Sequence, residues 1–280
     1  MKARNVRNRA LYYVGATLLA FLMIYPLLWM VCSSFKETTT IFRTSTQLIP
    51  EKVVLENYVN GWKGFGGISF STFFANSFFV TIISTAGAVI SSTLVAFGFA
   101  RIEFKGKGFW FSCMLLSMMV PFQVVMVPQY ILYNSMKWIG TYLPLIVPYC
   151  LGLPFGIFLT VQFVRGIPRD LDEAARIDGC SIFGIFRNII LPLIRPAMVT
   201  TGIFAFIWKW DDFMGALLYL NKPKTYTISI ALKLFCDPSS TTDWGAMFAM
   251  STLSLVPAFL IFVFFQKYLV EGIAASGIKG

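Results

Sequence analysis

Residues 170–192 read DLDEAARIDGCSIFGIFRNIILP and form a polar stretch between two long apolar blocks of the chain. The residue types predict a short helix that begins near Asp170, which with Glu173 three positions on has the pattern of a capping box. Carboxylates in this first turn also suit the positive end of the helix dipole. Gly179 is predicted to end the helix, because glycine readily adopts the left-handed backbone conformation needed there.

A second short helix is predicted directly after this turn. Ser181 can accept a hydrogen bond from a backbone N–H group at its start. The helix is expected to run to Ile190, where Leu191-Pro192 ends it. The two helices share an apolar side that would suit a groove on a partner protein. That side is formed by Leu171, Ala174, Ala175, Ile182, Phe183 and Phe186.

The chain as a whole is too apolar for a soluble domain. Of its 280 residues, 57% are hydrophobic and 13% are charged, whereas soluble domains carry about 25% charged residues. The apolar residues form six blocks long enough for a membrane helix, which needs about 20 residues. We therefore expect an all-α membrane protein with six transmembrane helices. The blocks are 11–33, 72–100, 109–134, 142–164, 197–220 and 244–265.

The basic residues are distributed unevenly between the two sides that six helices would create. Fourteen Lys and Arg residues lie in the two tails and in the second and fourth connections, and eight lie in the other three connections. Basic residues favour the cytoplasmic side, so both termini and the loop 165–196 are expected in the cytoplasm. The net charge of +10 is thus attributed to topology and attraction to lipid headgroups rather than to nucleic-acid binding.

This orientation divides the chain into three parts. Residues 1–10 form a cytoplasmic tail, residues 11–265 form the transmembrane domain with the loop 165–196, and residues 266–280 form a second cytoplasmic tail. The first apolar block follows a basic tail, as in a signal peptide. It is longer than the apolar region of such a peptide and has no small-x-small cleavage pattern, so we interpret it as a retained first helix.

The side chains that catalysis or metal binding would need are sparse. The chain has no His, and its five Cys residues show no CxxC spacing, so neither a zinc site nor a disulfide framework is expected. The sequence also contains no HExxH, GxSxG or P-loop pattern. We expect a non-catalytic chain that binds no cofactor and does not itself hydrolyse ATP.

Charged and aromatic residues are concentrated in the fifth block, where residues 208–212 read WKWDD. A charge at mid-membrane costs about 2.5–3.5 kcal/mol, so these residues are expected to line a polar cavity or to pair with one another. Aromatic rings and carboxylates suit a sugar, whose apolar faces stack on rings and whose hydroxyls donate to carboxylates. A structural cluster at a subunit interface is the alternative. If the cavity is part of a path for a solute, the candidates to line it are Trp208, Trp210, Asp211 and Asp212, with Gln123, Gln129 and Asn134 of the third block as further candidates.

The loop 165–196 resembles, at several spaced positions, the EAA loop of binding-protein-dependent ABC importers. The matching residues are Glu173, Ala174, Ala175, Gly179, Ile189, Leu191 and Pro192. Motifs elsewhere are similar to the carbohydrate-uptake branch of this family, in particular to its smaller, six-helix, maltose-type subunit. They include Ser34-Phe35-Lys36, Asn57-Tyr58, Ala100-Arg101, Trp210-x-Asp212-Phe213 and the ending Ile278-Lys279-Gly280.

The resemblance implies the type I importer permease fold in a bacterial or archaeal cell membrane, with the EAA loop docked on an ATPase. It also implies a second permease subunit in a heterodimer, two ATPase subunits that bind ATP and Mg, and an extracytoplasmic solute-binding protein that delivers a sugar. The tail residues Ile278, Lys279 and Gly280 are expected to reach the ATPase interface. The expected ATPase-coupling residues are Glu173, Ala174, Ala175, Asp178, Gly179, Phe183, Leu191 and Pro192.

Other functions remain compatible with six membrane helices. A permease of the same family for another solute, such as glycerol phosphate, would carry the same loop. A secondary transporter or channel would more typically show internal repeats, and the sequence shows no convincing one. A membrane scaffold would leave the spacing of the loop residues unexplained.

Overall fold

The structure, a computed structural model, describes residues 2–235 and 243–277, and within them the side chains of residues 9, 11–235 and 243–268. Helices make up most of the described chain, and no β-strand occurs in those residues. The all-α fold expected from the sequence is confirmed.

The helices range from single turns to segments long enough to cross a membrane. The first seven are α1 (Lys2–Ser33), α2 (Glu56–Lys63), α3 (Phe70–Arg101), α4 (Lys107–Ser117), α5 (Phe122–Ser135), α6 (Leu143–Cys150) and α7 (Pro154–Gly166). They are followed by α8 (Asp170–Ile177), α9 (Ile182–Ile185), α10 (Leu191–Leu193), α11 (Arg195–Trp210), α12 (Phe213–Tyr219), α13 (Ile228–Leu234) and α14 (Trp244–Gly277). A π-helical segment, Phe186–Ile190, joins α9 to α10.

The candidate membrane spans follow the apolar blocks of the sequence. Within the described residues, four segments are long and apolar enough to cross a membrane, and two bent helix pairs raise the number to six if each pair crosses once. The pairs are α4 with α5, bent by 101°, and the α9–α10 segment with α11, bent by 73°. The four segments are Leu11–Ser33, Phe70–Arg101, Leu143–Gly166 and Trp244–Tyr268.

The fifth apolar block, 197–220, is not one continuous helix but is divided into two. α11 ends at Trp210, and α12 begins at Phe213. Between them the side chain of Asp212 accepts a hydrogen bond of 2.8 Å from the backbone N–H of Gly215 and so starts the new helix. This break places the charged residues of the block at a helix end, where freed backbone groups and side chains can line a cavity.

Proline and glycine interrupt the third and fourth blocks in the same way. α5 begins directly after Pro121, whose backbone is extended, with φ −62° and ψ 140°. α7 begins at Pro154, shortly after Gly152, which has φ +118°. A proline lacks an N–H group and therefore fits the first turn of a helix better than its interior. Both blocks are consequently pairs of shorter helices.

One compact unit of the chain comprises Met1–Ser71 and Ala231–Val256. In this unit the buried side chain of Asn57 donates from Nδ2 to the carbonyl oxygens of Ser34 and Lys36, each at 2.8 Å. The Ser34 hydroxyl also lies 2.8 Å from the Tyr58 hydroxyl. Two of the motifs that resemble the family therefore meet, and their hydrogen bonds hold α2 against the end of α1.

The second compact unit comprises Thr72–Ile230 and Pro257–Gly280. Small residues let its helices approach closely: a Cβ atom added to Gly156 on α7 would lie 2.5 Å from Cγ2 of Thr201 on α11. A Cβ atom on Gly87 of α3 would overlap Sγ of Cys150 at the end of α6. Such close packing at small residues is typical of membrane helices, and it fixes the frame around the two sites described next.

Candidate coupling loop and translocation cavity

The first helix of the polar loop, α8, lacks the capping box expected from the sequence. Arg169 occupies the cap position with a helical backbone, and no side chain caps this end. Its carbonyl oxygen accepts the backbone N–H groups of Asp172 and Glu173 at 2.9 and 3.1 Å. Because the main chain of Arg169 already binds these donors, Asp170 is the first helical residue, and its prediction as a cap was wrong.

The turn after α8 has the predicted geometry. Gly179 has φ +82°, in the left-handed region, and its N–H group donates to the carbonyl of Arg176 at 3.0 Å. The side chain of Ser181 then accepts a hydrogen bond of 3.1 Å from the backbone N–H of Gly184. The predicted glycine turn and serine cap are both confirmed, and they fix the direction in which the second helix leaves the first.

The second helix continues past the point where Leu191-Pro192 was expected to end it. The π-helical segment Phe186–Ile190 leads into α10, which contains Pro192 in its first turn. The N–H group of Leu191 donates to the carbonyl of Phe186, five residues earlier. A π-turn holds one more residue than an α-turn, which gives the proline ring room, and the chain bends only at Ile194.

The apolar side expected for this loop is divided between the chain's own core and the outside. Ala175 and Phe186 are 6% and 8% exposed and belong to one buried cluster, so they do not face outward as the sequence suggested. This cluster anchors both helices of the loop against α3, α7 and α11. Its buried members are Phe97, Ala100, Val164, Ala175, Ile185, Phe186, Ile190 and Ile194.

The outward part of the loop remains apolar with a charged edge. Ile177 is 87% exposed and Phe183 is 65% exposed, although both side chains are large and apolar. Leu171 and Ile182 are also exposed. The other expected coupling residues on this outer part are Glu173, Ala174, Asp178 and Gly179, which are all exposed. An exposed apolar surface rimmed by charges is a common feature of protein interaction sites.

An ion pair that the sequence reasoning did not anticipate fixes the loop to the membrane helices. Nε of Arg101, the last residue of α3, lies 2.9 Å from Oδ2 of Asp172 on α8. Only 6% of the arginine side chain and 12% of the aspartate side chain are exposed. Nη2 of Arg101 also donates to the carbonyl of Ile167 at 2.8 Å. One buried guanidinium therefore holds both the start of the loop and its first helix.

A second group of charges, centred on the exposed Glu103, lies close in the chain to this buried pair. Oε1 of Glu103 lies 3.0 Å from Nζ of Lys107 and 3.5 Å from Nη2 of Arg169. The hydrogen bond from the Lys107 side chain is the main reason that the pKa of Glu103 is below its ordinary value, with the charges of Lys107 and Arg169 acting in the same direction. Glu103 therefore stays ionised to a lower pH than an isolated glutamate.

A cavity of about 310 Å³ opens beside the end of α11. Nζ of Lys209 lies 2.9 Å from Oδ2 of Asp212 and 4.2 Å from the centre of the Tyr149 ring. Only 5% of the lysine side chain is exposed. A polar cavity or mutual pairing was expected for these charges, and Lys209 and Asp212 show both. The lining includes Gln129, Tyr133, Tyr149, Trp208, Lys209, Asp212 and Tyr219.

The cavity gathers only some of the residues proposed for the substrate path. Trp208 and Asp212 line it, whereas Trp210 is 5% exposed and packs against Phe206 and Phe78. The remaining candidates, Asp211, Gln123 and Asn134, are exposed and do not line it.

Three cavity residues were not singled out from the sequence. Tyr133, Tyr149 and Tyr219 lie in separate helices, and the hydroxyl of Tyr219 donates to Oε1 of Gln129 at 3.1 Å. The sequence feature that could have indicated them is a tyrosine inside an apolar block, because its buried hydroxyl needs a hydrogen-bond partner. The tail residues Ile278, Lys279 and Gly280 lie outside the described residues.

Comparison with known proteins assigns this architecture to a family. Residues 88–275 match the family described as "Binding-protein-dependent transport system inner membrane component". The chain is 38% identical to the probable ABC transporter permease protein YurM of Bacillus subtilis, over 98% of this chain and 92% of that protein. It is 32% identical to the trehalose/maltose transport system permease protein MalG of Thermococcus litoralis, over 99% of each chain.

A solved structure shows the same fold. It is the crystal structure of a bacterial ABC transporter involved in the import of the acidic polysaccharide alginate, and it superposes with a TM-score of 0.80. The match covers 94% of this chain and 97% of that chain, at 20% identity. The chain belongs to the family of inner-membrane components of binding-protein-dependent transport systems. It has the permease fold of type I ABC importers, as the resemblance of its EAA loop implied.

Proposed function

We propose that this chain is one permease subunit of an ABC importer that carries a sugar or oligosaccharide into the cell. The observation that supports it best is the loop formed by α8, the Gly179 turn and α9, which combines an anchored inner side with an exposed apolar outer side. Because its inner side is packed in a buried cluster, such a loop can transmit the movement of a bound partner as a rigid unit. Its relatives are named as permeases, and one carries trehalose or maltose by name.

In this proposal the chain itself performs no chemistry. Two separate ATPase subunits bind ATP and Mg, and one of them receives Ile177, Phe183 and the edge that carries Glu173. Closure of the ATPase pair moves this loop. Asp172 lies on α8 and Arg101 ends α3, so their buried contact transmits the movement of the loop to α3. A second permease subunit, as a heterodimer, and an extracytoplasmic solute-binding protein complete the importer, with the termini of this chain in the cytoplasm.

Reconstitution in vesicles tests this function. The chain alone is expected to show no ATPase activity, whereas the complete importer should hydrolyse ATP and accumulate a radiolabelled oligosaccharide when its binding protein is present. A thermal-shift screen of that binding protein against sugars and glycerol phosphate selects the solute. ATP hydrolysis by the chain alone, or uptake without the ATPase subunits, would overturn the proposal in favour of an enzyme or a secondary transporter.

The cavity beside α11 is the proposed part of the substrate path within this subunit. A volume of about 310 Å³ lies at the lower end of the range of roughly 300–1,000 Å³ found for ligand pockets. Trp208 lines the cavity and is 42% exposed, and the Lys209–Asp212 pair offers charged hydrogen-bond partners. Rings for apolar sugar faces and polar groups for hydroxyls are the combination that a saccharide needs.

Replacing Asp212 by asparagine is expected to lower sugar uptake about tenfold and to lower the unfolding temperature. Asparagine caps a helix as well as aspartate does, so the start of α12 is kept, whereas the buried ammonium group of Lys209 loses its counter-charge. Asp212→Ala removes both the cap and the charge and should lower the unfolding temperature further than Asp212→Asn does. Uptake and docking of the binding protein are measured separately. Loss of docking alone would assign the cluster to a subunit interface, and unchanged uptake in Asp212→Asn would remove it from the path.

A further inference from the structure

A second cavity, of about 440 Å³, lies between the end of α3, the start of α4 and the connection from α7 to α8. Four cationic side chains line it, and they come from three separate parts of the chain. They are Arg101, Lys107, Arg165 and Arg169. Neither the coupling loop's outer face nor the cavity beside α11 includes this space.

The carboxylates around this cavity do not balance its cations. Asp172 is paired with Arg101, while Lys107 and Arg169 share a single oxygen atom of Glu103. No ion pair within the described residues involves Arg165, whose guanidinium carbon lies 5.2 Å from the centre of the Phe111 ring. Four cations and two carboxylates leave an excess of positive charge in a concave space, which favours an anionic ligand.

Exposed aromatic side chains lie close in the chain to Lys107, one of the cavity's cations. Phe109 and Trp110, which follow Lys107 on α4, are 66% and 58% exposed, and Phe104 is 42% exposed. Aromatic side chains of this kind are enriched at the level of the lipid headgroups. Clustered Lys and Arg residues at the same level attract anionic lipids. Positive charge and exposed aromatic side chains therefore occur together around the start of α4.

We propose that this cavity binds the headgroup phosphate of an acidic phospholipid, with the acyl chains lying along Phe109 and Trp110. Arg165 and Arg169 supply charge-assisted hydrogen bonds to the phosphate oxygens, and Lys107 supplies a further ammonium group. The proposal does not depend on which solute the importer carries.

A lipid bound here would touch the segment that leads into the coupling loop. Arg169 directly precedes α8, and the carbonyl of Ile167 is held by Arg101 at 2.8 Å. The phosphate would thus lie against the connection between α7 and α8, next to Arg101, which also pairs with the buried Asp172. The bound lipid would stabilise the segment that precedes α8 on its membrane side, while contacts with the protein core stabilise it on the other side.

Titration of lipid onto the purified full chain, together with any subunits that accompany it, tests the site by native mass spectrometry. The chain should retain phosphatidylglycerol in preference to phosphatidylcholine of the same acyl chains. The double variant Arg165→Gln/Arg169→Gln should weaken the apparent affinity for phosphatidylglycerol by about fivefold for each cation removed. Arg165→Lys/Arg169→Lys keeps both charges and should lose less. Both arginines are exposed, so these variants are expected to fold.

Lys222→Gln/Lys224→Gln is the matched control, because it removes two exposed positive charges from a different part of the chain and should leave the lipid affinity unchanged. Equal losses in the control and the test variant, or no loss in the test variant, would overturn the proposal. Displacement of phosphatidylglycerol by millimolar inorganic phosphate would also overturn the lipid assignment, because it would identify the site as one for free phosphate.

Discussion

Replacing Asp172 by alanine is expected to destabilise the protein more than any other single change in the polar loop. The substitution would leave the guanidinium of Arg101, with 6% of its side chain exposed, without a counter-charge. Removing one partner of a buried ion pair typically costs about 3–5 kcal/mol. Thermal unfolding of the detergent-solubilised chain should therefore begin at a clearly lower temperature, and ATPase stimulation in the assembled importer should be lost.

Two further variants separate the buried pair from the exposed charges around it. Arg101→Met/Asp172→Leu replaces both ions by apolar side chains and should recover most of the stability lost in Asp172→Ala, because neither variant residue leaves a buried charge. Glu103→Gln removes an exposed carboxylate and should change the unfolding temperature little. If Asp172→Ala unfolds like Glu103→Gln, the pair does not hold the loop.

The double replacement also distinguishes stability from coupling. A hydrophobic pair keeps α8 against α3 but lacks the charge attraction between the Arg101 guanidinium and the Asp172 carboxylate. We expect a stable protein with weaker ATPase stimulation by the binding protein. Full stimulation in the double variant would mean that packing in the cluster around Ala175 and Phe186 transmits the movement without the ion pair.

The polar loop shows how far the sequence could predict this structure. Gly179 and Ser181 were assigned correctly, because a left-handed turn and a helix cap each depend on one local residue type. Asp170 was assigned wrongly as a cap, because the carbonyl of the preceding Arg169 accepts the backbone N–H groups that the Asp170 side chain was expected to bind. The burial of Ala175 was also missed, since the pattern of apolar residues does not tell which side of a short helix meets the chain's own core.

Contacts between distant residues were the part that the sequence could not supply. Arg101 and Asp172 are 71 positions apart in the sequence. Arg101 ends one helix and Asp172 lies in the first turn of another, and neither position alone indicates that the two form an ion pair. The cavity beside α11 was predicted in part, because a charge in an apolar block needs a polar partner. Its tyrosines were missed, because which ring meets Lys209 depends on how α6 packs against the end of α11.

Replacing Gly179 by valine is expected to abolish coupling between ATP hydrolysis and transport while insertion into the membrane stays normal. Gly179 has φ +82°, and an added Cβ atom would meet nothing within 4 Å. Steric crowding is therefore not the cause. A β-branched residue in the left-handed conformation costs roughly 1–2 kcal/mol, so valine would change the direction in which the chain leaves α8. Asparagine tolerates this conformation and should retain most activity.

Glu173→Lys tests the outer edge of the same loop without disturbing the turn. Glu173 is exposed, so the variant should fold and unfold as the wild type does. Reversing its charge should nevertheless prevent docking on a cationic or backbone donor of the ATPase, whereas Glu173→Gln should dock weakly, because an amide can still accept a hydrogen bond. Vesicle uptake and ATPase stimulation are measured for the Gly179 and Glu173 series together. Coupled transport that survives in both Gly179→Val and Glu173→Lys would contradict the assignment of this loop as the point at which the ATPase acts on the permease.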